Sequence, residues 1–375
     1  MNDLFLKLLQ PSLPEDRMQM SKEILKELKD RAQKHNLLML LYSQLMRYRE
    51  GIEQQEYVSE FLRELKPLYY KNVTRSLKQE AIEKEITGFL REQGIPSVVI
   101  RGNKIAREIY DDPYCRTSTD IDILIKMSDA LRVDAILTKK GYARNDTIDL
   151  KFWFYRIHHA VYRHPGTNDL IEIHWNFGIP SFFRLPPEEI WNEVISTDEG
   201  QYKLSPEMLM VMLLIHNHTH FFRELRILVD ILWALQKYKS LIDWNKFALK
   251  LKRIGLVKTA LITLSQIQNL WGDDVMKIVA IPVLRQELRG IRSVNQLLSS
   301  YFKLDSERQY GFQNLKDKFM VRFALDDIST VIFSFSKTLF PLPGVIKEFY
   351  TDKRNWTLPY NYLRFITWRV KEWTG

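Results

Sequence analysis

Asp120 and Asp122 stand two residues apart at the head of an apolar run, Asp120-Ile-Asp-Ile-Leu-Ile. Strand side chains alternate faces, so both carboxylates point one way while Ile121, Ile123 and Ile125 point the other, toward a core. Two carboxylates held side by side repel each other unless a cation lies between them. A later run, Leu170-Ile-Glu-Ile-His-Trp, alternates in the same way, with Ile171 and Ile173 on one face and Glu172 and His174 on the other. Placed in register beside the first, it brings Glu172 to the face that carries Asp120 and Asp122. Three carboxylates so placed hold two divalent ions, Mg2+ or Mn2+, as two-metal phosphoryl chemistry requires. One ion lowers the pKa of an attacking hydroxyl, and the other grips a triphosphate and stabilises the departing pyrophosphate.

Just upstream, Ser97-Val-Val-Ile-Arg-Gly-Asn reads as a strand that ends at Gly102, with a short helix over Asn103 to Tyr110. Glycine lets the backbone come close to phosphate oxygens, and a following helix start favours their charge. Arg101 or Lys104 adds a charged contact, and Arg116 lies a few residues before the aspartates.

The elements that position these residues follow from periodicity. Residues 15 to about 94 read as helical, with Leu62, Leu65, Tyr69, Val73, Leu77 and Ala81 at the spacing of one helix face. Pro67 marks a kink or a break there, and Gly94 with Pro96 ends the segment. After the Asp120 strand, Ser128 to Lys140 reads as a helix with Ser128 as N-cap and Gly141 as its C-terminal stop. Tyr155–Arg163 and Leu170–Trp175 then form two β-like runs joined by the turn His164-Pro-Gly-Thr-Asn-Asp. This order predicts a small mixed sheet covered by helices on one side. From Pro187 onward helical periodicity returns, opening at Ser205-Pro206 with a helix whose apolar stretch Met208–Ile215 reads as buried.

Further polar residues punctuate these helices. His216 and His220 share one helix face and His218 points away. No glutamate completes a zinc-protease motif, so the pair reads as buried, hydrogen-bonded or substrate-facing. Arg226 and Asp230, four apart, are placed to pair with each other. His158 and His159 precede the hairpin and receive no role.

Composition bounds the class. The 375 residues include 45% hydrophobic and 27% charged residues, with only 14 Gly and 14 Pro, which suits a folded, helix-rich chain of two or three domains. A net charge of +9 suits phosphate-bearing or anionic partners. The lone cysteine, Cys115, excludes a disulfide framework or multi-cysteine zinc site and fits a reducing compartment. The N-terminus lacks a basic, apolar leader and no apolar run reaches the ~20 residues of a membrane span, so a cytoplasmic location without a transmembrane segment is expected. The aromatic, basic stretch beyond about 305 reads as packing that closes the domain, with a membrane, nucleic-acid or peptide contact as alternatives.

Ile100-Arg-Gly-Asn, Arg116-x-x-x-Asp-Ile-Asp-Ile-Leu-Ile and Ile171-Glu-Ile-His-Trp together resemble the uncharacterised nucleotidyltransferase family of the DNA-polymerase-β-like superfamily. The likeness continues through His216-x-x-x-His220, Leu225-Arg226-x-x-x-Asp230-Ile, Ile242-Asp-Trp and Phe340-Pro, covering roughly residues 90–375. It implies the carboxylate roles for Asp120, Asp122 and Glu172, and phosphate contacts at Gly102 and Asn103. Such relatives commonly carry Lys where Arg101 stands, and Gly or Ser where Asn103 stands. A guanidinium is not an ammonium in geometry, so nucleotide contacts differ there.

The expected fold is α+β and predominantly helical. A nucleotidyltransferase sheet core over 95–186 is flanked by N-terminal helices over 1–94, a helical domain over 187–304 and an aromatic, basic helical extension over 305–375. The expected activity is transfer of a nucleotidyl group from an NTP to a hydroxyl or phosphate acceptor: a saccharide, a peptide or a small molecule rather than nucleic acid. Arg101, Gly102, Asn103, Lys104 and Arg116 are the expected nucleotide contacts, and His174, His216, His220 and Arg226 the substrate-facing candidates. The alternatives are glycosyl transfer from a sugar nucleotide, whose aspartates would close a strand rather than open one, and non-catalytic binding of a nucleotide or peptide.

Overall fold

The computed structural model describes residues 4–12, 20–48, 56–144, 157–178, 182–197, 201–272, 321–326, 329–332 and 357–374, with Ile346, Tyr350 and Arg354. The Phe340-Pro motif, residues 273–304 and most of the aromatic, basic segment therefore lie outside the described residues. The fold is α+β and mostly helical around a small mixed sheet. Among the described residues, no helix is long and apolar enough to cross a membrane.

The N-terminal segment divides into α1 (Leu4–Leu8), α2 (Lys22–Lys34), α3 (Leu38–Arg47) and the long α4 (Glu56–Glu92). Asn36, at a positive φ of 56°, turns the chain between α2 and α3. Pro67 neither breaks α4 nor splits it. The apolar face foreseen for α4 holds at Leu62 and Leu65, but Leu77 is exposed, and the buried stripe continues instead through Asn72, Ser76, Gln79 and Glu83. The reason is the partner: here α4 packs against polar loop and helix groups. Asn72 Nδ2 donates to the Tyr114 carbonyl (2.8 Å), Gln79 Oε1 accepts from Asn103 Nδ2 (2.7 Å), and Glu83 pairs with Arg107.

Among the described residues, five strands form the sheet: β1 (Ser97–Val99), β2 (Asp120–Ile125), β3 (Ala143–Arg144), β4 (His159–Arg163) and β5 (Leu170–His174), in the order β1-β2-β5-β4-β3. β2 and β5 run parallel, and the other neighbours are antiparallel. Helix α5 (Asn103–Ile109) follows β1. Helix α6 (Ala130–Lys139) follows β2 after a 3-10 turn, Met127–Asp129, which absorbs the foreseen N-cap Ser128. One sheet face, carrying Ile121, Ile123, Ile125, Ile171 and Ile173, packs with Val133 and Leu137 of α6 and Ile82, Ile86 and Leu90 of α4.

Beyond the sheet come α7 (Pro187–Trp191), the hairpin β6–β7 (Val194–Ser196, Tyr202–Leu204), and α8 (Pro206–Thr219), α9 (Leu225–Tyr238), α10 (Trp244–Ile254) and α11 (Val257–Trp271). The C-terminal helix α12 spans Leu358–Thr374. Ser205 caps α8 by accepting from the Met208 amide at 3.1 Å, and Pro206 starts it where no amide partner is needed. Every residue from Met208 to His218 is buried, so α8 is the central rod of the helical layer. One continuous core joins α1–α3, β1, α5 and α8–α11.

Candidate active site

The parallel pairing of β2 with β5 sets Asp122 opposite Glu172 and Asp120 opposite Leu170. Period-two alternation then leaves Asp120, Asp122, Glu172 and His174 on the sheet face away from the isoleucines. The antiparallel pairing of β4 with β5 sets His159 opposite His174 on that face.

Arg101 enters from the β1 edge. The Ile100 amide donates to the Asp122 carbonyl at 3.0 Å, which carries the β1–β2 pairing one residue further and delivers Arg101 over the carboxylates. Its Nη2 donates to Asp122 Oδ1 at 2.6 Å and lies 3.6 Å from Glu172 Oε2, while Nη1 lies 2.9 Å from His216 Nδ1 on α8. His174 Nε2 lies 2.8 Å from Asp122 Oδ1 and 3.1 Å from Glu172 Oε2. Arginine has no acceptor and ionised carboxylates no donor, so the His174 ring hydrogen and the Arg101 guanidinium converge on Asp122.

Gly102 makes the turn. Its φ of 67° and ψ of −136° suit glycine alone, and a Cβ there would meet the Asp120 carbonyl and Ser118 Oγ, both at 3.1 Å. The turn is held from behind: Arg116 Nη1 donates to the Gly102 carbonyl at 3.0 Å, and Arg116 Nε lies 3.1 Å from Asp230 Oδ1. Asp230 is fully buried and also accepts from Tyr110 at 2.8 Å. Asp230 thus takes Arg116 and not its helix neighbour Arg226, which donates to the Thr117 carbonyl at 3.1 Å.

Electrostatics divide the carboxylates into two kinds. Burial alone would raise the Asp122 carboxyl, but the Arg101 charge and the His174 bond overcome it and hold it well below the ordinary range. Burial likewise opposes ionisation of Glu172, and the His174 hydrogen bond brings it below its ordinary value. Asp120 goes the other way. Burial and the charges of Asp122 and Glu172 raise it, and Arg101 and Arg116 do not cancel them. Burial and Arg101 act to lower His174, and its bonds to Asp122 and Glu172 outweigh them and raise it. Burial, then Arg101, pushes His216 well below the usual imidazole value.

The remaining candidates have other partners. Lys104 Nζ is 3.1 Å from Glu108 Oε1, and the Asn103 side chain turns back to α4. The His220 ring lies edge-on to His216, 4.4 Å between centroids, and pairs with Glu224. His218, on the opposite side of α8, lies 3.2 Å from Thr259 Oγ1 among Phe182, Phe183 and Phe222. The site thus gathers Asp120, Asp122, Glu172, His174, Arg101 and His216, with Gly102 at its rim. It also gathers His158 and His159, to which the sequence assigned nothing: their rings lie 5.8 and 4.9 Å from His174.

Oxygens of Asp122 and Glu172 and a nitrogen of His174 lie within 4.8 Å of one another, close enough to share a cation. Asp120, with its ionisation opposed by its neighbours, supplies a further oxygen donor on the same face. Hard oxygen donors in excess over positive charge suit a divalent ion of the Mg2+ or Mn2+ class.

No curated protein matches the chain. The family model described as an uncharacterised nucleotidyltransferase matches residues 22–272, a span holding every residue of this site, and the chain belongs to that family.

Proposed function

We propose that the protein is a metal-dependent nucleotidyltransferase that moves a nucleotidyl group from an NTP to a hydroxyl or phosphate acceptor and releases pyrophosphate. Family membership supports nucleotidyl transfer as the general activity and a nucleotide as substrate. The observation that carries the metal-dependent reading is the β2–β5 register, which sets Asp122 beside Glu172 with Asp120 on the same face. Three clustered carboxylates against one guanidinium leave negative charge for a cation to neutralise.

Asp120, Asp122 and Glu172 would hold Mg2+ or Mn2+, two ions in the full complement. When bound, such ions activate the attacking oxygen and neutralise charge on the phosphates. The other residues orient. Arg101 bridges Asp122 and His216, and with an ion as the counter-charge of Asp122 its guanidinium would be available to substrate phosphate. Gly102 keeps the adjoining backbone free of a side chain. His174 fixes the Asp122 and Glu172 carboxylates relative to each other through Nε2. The acceptor is a saccharide, a peptide or a small molecule.

The test is incubation with each NTP, Mg2+ or Mn2+ and an acceptor panel, reading pyrophosphate release and the mass added to the acceptor. Transfer is expected to need the divalent ion and to fall by about 10²-fold or more in Asp120→Asn and Asp122→Asn. Release that survives both substitutions overturns the assignment.

A further inference from the structure

We propose that His158, His159 and His174 form a second metal centre, built for a nitrogen-preferring transition metal such as Zn2+, beside the carboxylate set. One ring nitrogen from each of the three lies within 4.8 Å of the other two. The rings of His158 and His159 are 4.5 Å apart, and those of His159 and His174 are 4.9 Å apart. Backbone pairing builds the cluster. The β4–β5 register faces His159 to His174, and the Trp175 amide holds the His158 carbonyl at 2.9 Å.

Two orphaned atoms point to a ligand. His174 Nδ1 and His159 Nδ1 are buried, and neither has a hydrogen-bond partner. A buried ring nitrogen left in this state is unfavourable, and coordination satisfies it. The other nitrogen of His174 already makes the contact that a metal-binding imidazole needs. Its Nε2 lies 2.8 Å from Asp122 Oδ1 and 3.1 Å from Glu172 Oε2. Both carboxylate contacts need a donor, so they place the ring hydrogen on Nε2 although Arg101 Nη2 also lies 2.9 Å from it, and the buried, unpartnered Nδ1 then carries the lone pair. A carboxylate that holds one imidazole nitrogen while the other ligates is the usual support of such a ligand.

The donor chemistry separates this centre from the carboxylate one. Three imidazoles favour Zn2+, Co2+, Ni2+ or Cu2+ over Mg2+ or Mn2+. Zn–N bonds of about 2.0–2.1 Å would draw the three nitrogens well inside the 4.8 Å that bounds them here. Three protein ligands leave a fourth position for water or substrate at such a centre, and His158 and His159 are half-buried. Glu172, with Oε2 3.9 Å from His159 Nε2, lies between the two centres.

Untagged full-length protein, stripped with a chelator and given Zn2+ in millimolar Mg2+, tests this. One equivalent of Zn2+ is expected to remain after dialysis, and Co2+ in its place should show the visible absorption of a nitrogen-rich tetrahedral site. His158→Ala/His159→Ala should lose that equivalent, with its circular dichroism in chelator unchanged. No retained equivalent in the wild type, or equal retention in the double variant, overturns the proposal. Zinc-edge X-ray absorption on the wild type needs no variant: imidazole scattering supports the centre, and an all-oxygen shell sinks it. These readouts stand whether or not nucleotidyl transfer is detected.

Discussion

Arg101 Nη2 lies 2.6 Å from Asp122 Oδ1, so a side chain of the protein itself sits as counter-ion on a carboxylate suited to a metal. Glu172 Oε2 is 3.6 Å from the same nitrogen, and His216 takes the other arm of the guanidinium. One cation thus spans both strands of the parallel pair and the central helix α8.

Arg101→Ala removes that counter-ion and leaves Asp122 and Glu172 facing each other with only His174 between them. Without divalent ions the variant should lose about 3 kcal/mol of stability, the low end for breaking a buried pair. Millimolar Mg2+ should then raise its melting temperature more than that of the wild type, because ion and guanidinium no longer compete. Urea and thermal melts with and without Mg2+ read this, and an equal Mg2+ response in both proteins rejects the competition.

Gly102→Ala places a Cβ at 3.1 Å from the Asp120 carbonyl in a backbone conformation open to glycine alone. Strain of this kind costs of order 1–3 kcal/mol, and relief requires moving either the turn or the start of β2. The variant should fold with a lowered melting temperature and lose more activity than its stability explains, since Asp120 itself shifts. Unchanged turnover in a folded variant would show that the turn does not set the position of Asp120.

Asp230→Ala leaves the Arg116 guanidinium buried and unpaired, and Arg116 is what grips the Gly102 carbonyl from behind. Breaking a buried pair from one side costs about 3–5 kcal/mol. Arg116→Met with Asp230→Leu removes both charges and should recover much of that stability without restoring the turn. Chemical denaturation of the single and double variants separates the two effects.

The carboxylate face was legible because it depends only on period-two alternation: Asp-Ile-Asp and Ile-Glu-Ile declare their inward and outward faces without any partner. The parallel register of β2 with β5 was a condition, not a reading, since parallel strands are joined by long connections whose length does not fix register. His158 and His159 were missed although a signal existed. Five residues outward from each end of the turn His164–Asp169 lie His159 and His174, the pair that the antiparallel ladder brings together. The polar face of α4 was illegible for a different reason. Asn72, Gln79 and Glu83 are buried against the Tyr114 carbonyl, Asn103 and Arg107, partners set by tertiary packing rather than by helix period. Arg226 and Asp230 share a helix spacing, yet Asp230 pairs with Arg116, 114 positions away in the chain.

His218 gives stability a pH dependence that can be traced to one side chain. Burial, with Arg322 nearby, lowers its pKa from the usual 6.5 to about 3 in the fold. The unfolded chain therefore binds the proton more readily than the folded one, and between these two values stability rises with pH. The contribution is complete above about pH 6.5 and is lost as pH falls toward 3, at up to about 1.4 kcal/mol per unit. His218→Gln cannot titrate, so its deficit relative to the wild type should shrink as the pH of urea melts is lowered from neutral toward 5. A deficit that stays constant over that range would mean that His218 takes up its proton as easily inside the helical layer as in water, which its burial against Thr259 and three phenylalanines does not allow.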